Sequence, residues 1–468
     1  MNSQIKTAQP LLSRETEEMW LKAFRTQQLS LQTPEPKTPP TTPTDHRMGR
    51  MTWANIAEGE DARKNRIVKI NKPVARQELM ETLCSSDIVS KFINQDISLA
   101  DADELLQVYH YNECDEKSSK DVQETRGVVR YGNELVCKTF AFTPEICCTQ
   151  EKEIQDLLKP VFSECRFFEA REGAMIRLFC FKNHWYMTTH RRLNAMQSKW
   201  GAHATSFGQL FLDAIALKMS ASHIEFEKKE HVLDRFCSLL NPRRTYVFLV
   251  SNDETNYIVC SPPPQSEVYL LGIFERVGFQ DGKEIAGSHT LVSESIDHFP
   301  TLIPSLPSHS FKNVSELVDF VSHSDVTETS GIVVYLPNGK QVKISSPLYL
   351  KYFQLRGNQP SIRFRYLQLR NQPQDLELFK TLYSSNEQDF DCYEEILKTV
   401  AQNIAHAYQI RYVRKPAIYV RLPQPQYFVH EDCRKNKNEM TLQSILKYIN
   451  TLSATQLNHL IKSEIERN

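Results

Sequence analysis

Three stretches of the chain carry side chains suited to chemistry on phosphates. Glu172-Gly173 opens a strand-like run, Met175-Ile176-Arg177-Leu178-Phe179, in which alternation puts Arg177 on the face of Gly173 and Met175. A guanidinium there suits a phosphate contact, and a cross-strand ion pair explains it equally. His190-Arg191-Arg192 ends a second run. Paired arginines favour bidentate phosphate contacts, and a solvated turn is the alternative. Arg356, Arg363, Arg365 and Arg370 interleave with Phe364 and Tyr366, and Arg363 and Arg365 would share one face of an expected strand. Cations beside aromatic rings are what single-stranded RNA binding uses, by phosphate attraction and base stacking. A structural joint between domains is the competing reading. No metal is expected. His430 and Cys433 form half a site, Cys147-Cys148 are adjacent rather than spaced, and Asp234, Asp253 and Glu254 do not pair as carboxylate ligands.

The elements around these residues read as follows. A chain of 468 residues, 40% hydrophobic and 24% charged, holds two or three folded units. Its net charge of -1 averages separated basic and acidic stretches, so it does not argue against a nucleic-acid partner. Eleven scattered cysteines suit a reducing compartment. Neither a signal peptide in Met1–Ser13 nor a run of about 20 apolar residues is found, so a membrane is not expected.

Residues 1–70 read as a disordered tail, Thr/Pro-rich from Thr33 to Thr44, with the segment around Trp53 a possible docking peptide for a protein partner. Residues 71–119 read as a small helical lead-in, from the spacing of Leu79, Leu83, Ile88, Val89, Phe92 and Ile93. From Gly127 the period becomes strand-like. One hairpin turns at Gly132-Asn133 and a second at Lys182-Asn183-His184. A Ser-capped helix follows over 206–216. Strands are expected at 246–250, 257–260 and 268–271, then a loop-like insertion over 278–310 and a helix over 314–321. Another hairpin closes at Pro337-Asn338-Gly339-Lys340. Beyond 350 the pattern is helical, over 376–383, 393–408 and 442–465. The fold class is therefore α+β, with antiparallel sheets and helices over 120–350 and an all-α C-terminal domain over 351–468.

In order and spacing, four segments resemble the RNA-ligase branch of the covalent nucleotidyltransferases. They are Glu169-Ala170-Arg171-Glu172-Gly173 with the strand after it, Trp185–Ala195, Ser198-Lys199-Trp200 and Leu355–Tyr366. Within that branch the likeness is to the RNA-ligase-like proteins of large cytoplasmic DNA viruses. It covers roughly residues 120–370. It implies an ATP-grasp-like ligase core that uses ATP and Mg2+, and RNA as partner, either single-stranded or with nicked ends. In such enzymes a lysine attacks ATP, the adenylyl group passes to a 5′-phosphate, and a 3′-hydroxyl displaces it. The location implied is the host cytoplasm or the virion.

Motif by motif, the likeness weakens where the chemistry lies. Glu172 and Gly173 match the acid and glycine of the first motif, but the nucleophile position holds Ala170. Phe248 is followed by Leu249 instead of an acid. Ser330-Gly331 stands for Glu-Gly, and Lys343 keeps one of two strand lysines while Ser345 occupies the other position. The resemblance implies nucleotide contacts from Glu172, Gly173, Arg177, Phe248 and Lys343, and RNA contacts from Arg191, Arg192, Arg356, Arg363 and Arg365. It assigns no catalytic residue. Lys138, Lys182 and Lys199 are the candidate substitutes, each also explained as a surface residue. Two functions stay open: an RNA ligase with a relocated lysine, or a catalytically inactive ligase-fold protein that binds RNA or belongs to the virion.

Overall fold

A computed structural model describes residues 87–468, apart from 202–203, 227–230, 254–257, 281–282, 293–301, 415–419, 436–439 and the last residue. The tail and its docking segment lie outside the described residues.

The first sheet is a meander of β1 (Ile97–Ala102), β2 (Gln107–Tyr111), β3 (Arg126–Tyr131) and β4 (Glu134–Cys137), each antiparallel to the next. Over its described part this corrects the helical lead-in, of which residues 71–86 lie outside the described residues. After a four-residue helix at Asp87–Ser90 the side chains alternate, with Ile97 and Leu99 buried and Ser98 half-buried between them. The helical spacing of Ile88 to Ile93 does not continue past Asp96, and strands win.

β5 (Glu145–Cys147), helix α1 (Glu151–Leu158) and β6 (Arg166–Glu169) come next. Before their sheet is complete, the chain builds another one. β7 (Ala174–Phe181) and β8 (His184–Thr188) form the expected hairpin, and its turn residues Lys182 and Asn183 have φ of 49° and 63°. Helix α2 (Phe207–Ala221) is capped by Ser206, whose hydroxyl accepts from the Gln209 amide. β9 (Arg244–Ser251), β10 (Glu267–Gln280) and β11 (Lys283–Leu291) complete the order β11–β10–β9–β7–β8. The β10–β11 hairpin corrects the loop expected from 278. The strand expected at 257–260 is instead a bend over Ile258–Cys260.

β12 (Ser308–His309), α3 (Val314–His323), β13 (Ile332–Tyr335) and β14 (Gln341–Ser345) return to the interrupted sheet, in the order β12–β6–β13–β14–β5. Then come helices α4 (Pro347–Arg356), α5 (Ile362–Leu369), α6 (Pro373–Leu382), α7 (Glu387–Tyr408), α8 (Gln424–Lys435), α9 (Leu442–Ile449) and α10 (Ala454–Ile465). The class is α+β, with antiparallel pairing dominant and a helical C-terminal region. Two expectations there are corrected. Arg363 and Arg365 sit on a helix, because the Ser361 hydroxyl caps it by accepting from the Phe364 amide at 3.2 Å. The single helix expected over 442–465 breaks at Asn450–Ser453, where a capping box starts α10.

Each sheet buries apolar faces of its own. Ile176, Leu178, Phe248 and Val250 pack on Phe211 and Ile215 of α2. The other face of β7, with Phe179 and Phe181, meets Val129 and Val136 of the first sheet. α1 and α3 cover β13 and β14 through Ile154, Leu317, Val334 and Val342. Tyr366, Phe379, Phe390, Ile404 and Ile445 hold the C-terminal helices together.

Between β6 and β7 the chain passes from one sheet to the next in four residues, Ala170–Gly173. The space is tight. A Cβ on Gly173 would stand 2.5 Å from the Val250 carbonyl oxygen and 3.1 Å from a Leu249 methyl. Gly173→Ala is therefore expected to destabilise the fold by about 1–3 kcal/mol, read as a lowered denaturant midpoint at unchanged slope. An unchanged midpoint would show that the crossover has slack.

Candidate functional site

The crossover is held by backbone hydrogen bonds. Ala170 N–H donates to Gly331 O at 2.8 Å, and its carbonyl accepts from the Ser330 amide (2.8 Å), Ser330 Oγ (2.9 Å) and Thr329 Oγ1 (3.1 Å). The Ala170 side chain is buried. Gly331, at φ 126°, could not carry a side chain, since a Cβ there would lie 2.1 Å from Ile344 O.

Glu172 is 9% exposed and points its carboxylate at the 258–260 bend. It accepts from the amides of Ile258, Val259 (3.0 Å) and Cys260 (3.1 Å). A fourth donor is the Tyr349 hydroxyl on α4, at 2.8 Å. Burial, and then the Glu172 charge, push the Tyr349 hydroxyl far up and the Cys260 thiol up to about 12. The Tyr349 ring carries the Lys343 ammonium 4.4 Å from its centroid. Lys343 also pairs with Glu145 Oε1 at 2.8 Å, and the same oxygen accepts from Ser345 Oγ at 2.6 Å. Ile258, Val259, Cys260, Val326 and Tyr349 form a compact apolar cluster beside these groups. Glu172, Gly173 and Lys343 are thus brought together, around a tyrosine ring.

The other expected residues lie elsewhere. Phe248 is in the apolar core, 5.2 Å from Phe211 and 5.9 Å from Phe236 between centroids. Arg177 is fully buried and donates to the Gly127 carbonyl and, at 2.7 Å, to Thr189 O. Arg191 is exposed and Arg192 half-buried, just beyond β8. Arg356 is buried and donates to the carbonyls of Gln359 and Pro360, while Arg365 donates to those of Leu355 and Gln354. These two join α4 to α5. Arg363 is half-buried, 5.9 Å from the Tyr393 ring centroid. Of the candidate substitute lysines, Lys138 pairs with Glu124, Lys182 sits 3.7 Å over the Tyr131 ring, and Lys199 is exposed. None of these contacts involves Glu172. Among the described residues no group of three or more His, Cys, Asp or Glu is placed to hold a metal ion.

Sequence reading missed Tyr349, Arg126 and His110. Ser346-Pro347 before Tyr349 is a helix-start signal that would have placed it. His110 Nδ1 lies 2.6 Å from Tyr111 O, and its ring centroid is 6.4 Å from that of His190. Burial first, then Arg191, Arg126 and Arg177, lower His110 to about 4. Burial, Arg126, Arg177, His110 and Arg191 hold His190 well below its usual range.

The fold and site define an α+β protein in which a short crossover links an antiparallel five-stranded sheet to a mixed five-stranded one. No family model matches the chain. It is similar to viral proteins, as expected. It is 30% identical over 302 residues to the immediate-early protein ICP-46 homolog of Invertebrate iridescent virus 6, covering 62% of this chain and 63% of that protein. It is 26% identical over 364 residues to the homolog of Invertebrate iridescent virus 3, covering 75% of each. The first match thus spans less than two thirds of the relative. Among solved structures the chain is similar to a putative ATP-dependent DNA ligase from Aquifex aeolicus, at TM-score 0.37 and 12% identity, covering 77% of this chain and 80% of that one. It is also similar to an archaeal ATP-dependent RNA ligase, at 0.35 and 13%, covering 71% and 83%. No described helix is long and apolar enough to cross a membrane.

Two tests follow from this geometry. Tyr349→Phe removes a donor to a charged acceptor and is expected to cost about 1.5–3 kcal/mol in urea unfolding, and Glu172→Ala more, since it also orphans backbone amides. Equal costs would show that the amides do not depend on the carboxylate. Second, His110 and His190 are neutral when folded and titrate near 6.5 when unfolded. Their contribution is complete above about pH 6.5 and is lost as the pH falls toward 4. His110→Asn is therefore expected to flatten the stability–pH slope between pH 7 and 5, and a parallel slope would remove His110 from the account.

Proposed function

We propose that this chain is a ligase-like viral protein that binds RNA through phosphate contacts and forms no adenylylated intermediate. The observation carrying the reading is the engagement of Glu172. Its carboxylate is saturated by the 258–260 amides and Tyr349, and Tyr349 stands between it and Lys343, where the resemblance expects a nucleotide. Ala170 offers no nucleophile at the position that resemblance assigns to it. Support for RNA comes from the residues still available to solvent, namely Arg191, Arg192 and Arg363, whose guanidinium groups suit phosphate oxygens. Arg356 and Arg365 drop out of this role, because backbone carbonyls engage them.

Incubation with α-labelled ATP and Mg2+, followed by denaturing electrophoresis, is expected to leave the protein unlabelled. A hydroxylamine-sensitive label would establish a lysyl-adenylate and overturn the reading. In parallel, the Arg191→Ala, Arg192→Ala double variant is expected to weaken single-stranded RNA binding several-fold. The slope of log affinity against log salt should fall in magnitude by about 1–1.5, since each phosphate contact contributes about 0.7. Wild-type protein that does not bind RNA at low salt would remove the RNA half of the proposal.

A further inference from the structure

Where the first two sheets meet, basic side chains gather, and among the described residues no carboxylate is one of the groups bearing most on them. Arg177, at the centre of β7, is 0% exposed. Its two terminal nitrogens are anchored on Gly127 O and Thr189 O, while its Nε is buried with no hydrogen-bond partner. Arg126, at the start of β3, donates to Ala141 O and Thr143 Oγ1, each at 3.2 Å. His190, in the turn after β8, has a buried Nε2 that also lacks a partner. His110 of β2 faces it at 6.4 Å, and Arg191 stands at the exposed edge.

The surrounding charges do not balance this cluster. The titratable groups bearing on Arg177 are Arg126 and the Cys137 thiol, and those bearing on Arg126 are the Tyr111 hydroxyl and the Cys114 thiol. Those bearing most on His190 are all basic: Arg126, Arg177, His110 and Arg191. The Asp101 carboxylate on β1 accepts from the amides of Ala102 and Leu193. Buried guanidinium groups are ordinarily paired with carboxylates, because an uncompensated buried charge is costly. Here carbonyl and hydroxyl oxygens compensate, and Arg177 Nε and His190 Nε2 are left without partners among the described residues.

The backbone is drawn tight around the cluster. Gly127, at φ 69°, lies so close to the following turn that a Cβ would stand 2.6 Å from His190 O. The turn after β8 thus packs against β3 with no room for a side chain at 127. The arrangement is a set of basic side chains with excess positive charge, and Arg191 is its exposed member.

We propose that Arg126, Arg177 and His190, with His110 behind and Arg191 at the mouth, form a binding site for one phosphate-class oxyanion. The anion would accept from Arg177 Nε and His190 Nε2 and supply the missing negative charge. It is either free phosphate or a phosphate of RNA. The anion site itself does not depend on the ligase-like reading, and only the RNA source rests on it.

The test is calorimetric titration of the purified full-length chain with inorganic phosphate, and separately with sulfate, at pH 7.5 and at ionic strength matched with chloride. Saturable binding of one anion per chain is expected, with at least tenfold weakening in Arg126→Gln and in His190→Gln. Circular dichroism identifies any variant that fails to fold. Wild-type protein that takes up neither anion beyond chloride would overturn the proposal, whatever the variants do. So would binding left unchanged in both folded variants. Competition then separates the sources, using an oligoribonucleotide with a 5′-phosphate or a 5′-hydroxyl. Displacement of phosphate by the phosphorylated strand alone assigns the site to an RNA end, displacement by both assigns it to backbone phosphates, and displacement by neither, with phosphate bound, assigns it to the free anion. RNA failing to bind at all would sink the RNA-binding reading and leave the anion site standing.

Discussion

The carboxylate of Glu172 accepts hydrogen bonds from successive amides of the 258–260 bend and from the Tyr349 hydroxyl, and three separate stretches of chain are fixed by that meeting. The bend makes no strand pairing, so without the carboxylate its buried N–H groups would be orphans. The carboxylate in turn would be a buried charge without its amides. Each therefore explains the other's tolerance of burial. Tyr383 continues the tie from the far side by donating to the Ile258 carbonyl at 2.6 Å. The crossover between the sheets and the first C-terminal helices are consequently held at one point. Alteration there propagates into both the sheets and the helices.

The interface between the first two sheets follows the opposite logic. Glu172 has donors on every side, whereas Arg177 and His190 retain orphaned nitrogens among like charges. Glu172 and Arg177 are both buried, so the contrast between them does not arise from exposure. It arises from what the backbone offers. The bend presents N–H groups to an anion, and the turn after β8 presents carbonyls to a cation but too few to use every donor. A buried basic group left short of acceptors is destabilising unless something else supplies them.

Much of the framework was legible in the chain because local signals and burial agree. The β7–β8 and β13–β14 hairpins and the Ser206-capped α2 each combine a turn or cap residue with matching apolar periodicity, and α3 and the long α7 helix carry the periodicity. The failures came where those signals conflict with tertiary context. Ile97–Tyr111 looked helical by extrapolation from residues 88–93, yet its alternation is that of a strand pair. Ser361 is a cap signal that outweighs the alternation of Ile362-Arg363-Phe364-Arg365. The bend at 258–260 has strand composition, but its amides are claimed by a residue almost ninety positions earlier, which no local pattern reveals. In the candidate site the resemblance singled out Glu172, Gly173 and Lys343, which the structure brings near one another, whereas Tyr349 and Arg126 gain their contacts only when distant elements meet.

Substitution of the motif positions is compatible with an intact fold because the fold uses them differently. Ala170 contributes only its backbone N–H and carbonyl to the crossover, so the identity of its side chain is irrelevant to those bonds. Ser330 and Ser345 are buried, and their hydroxyls close short links to Ala170 O and to Ser330 O and Glu145. A glutamate at 330 or a lysine at 345 would bring a charge into a space sized for a hydroxyl, at the cost of burying it. Lys343 keeps its charge, but Glu145 already neutralises it and Tyr349 lies under it. Restoring one motif residue would therefore leave the others locked in their present bonds. On the proposed reading the cluster is a structural joint, and the contacts that stabilise it oppose nucleotide binding there.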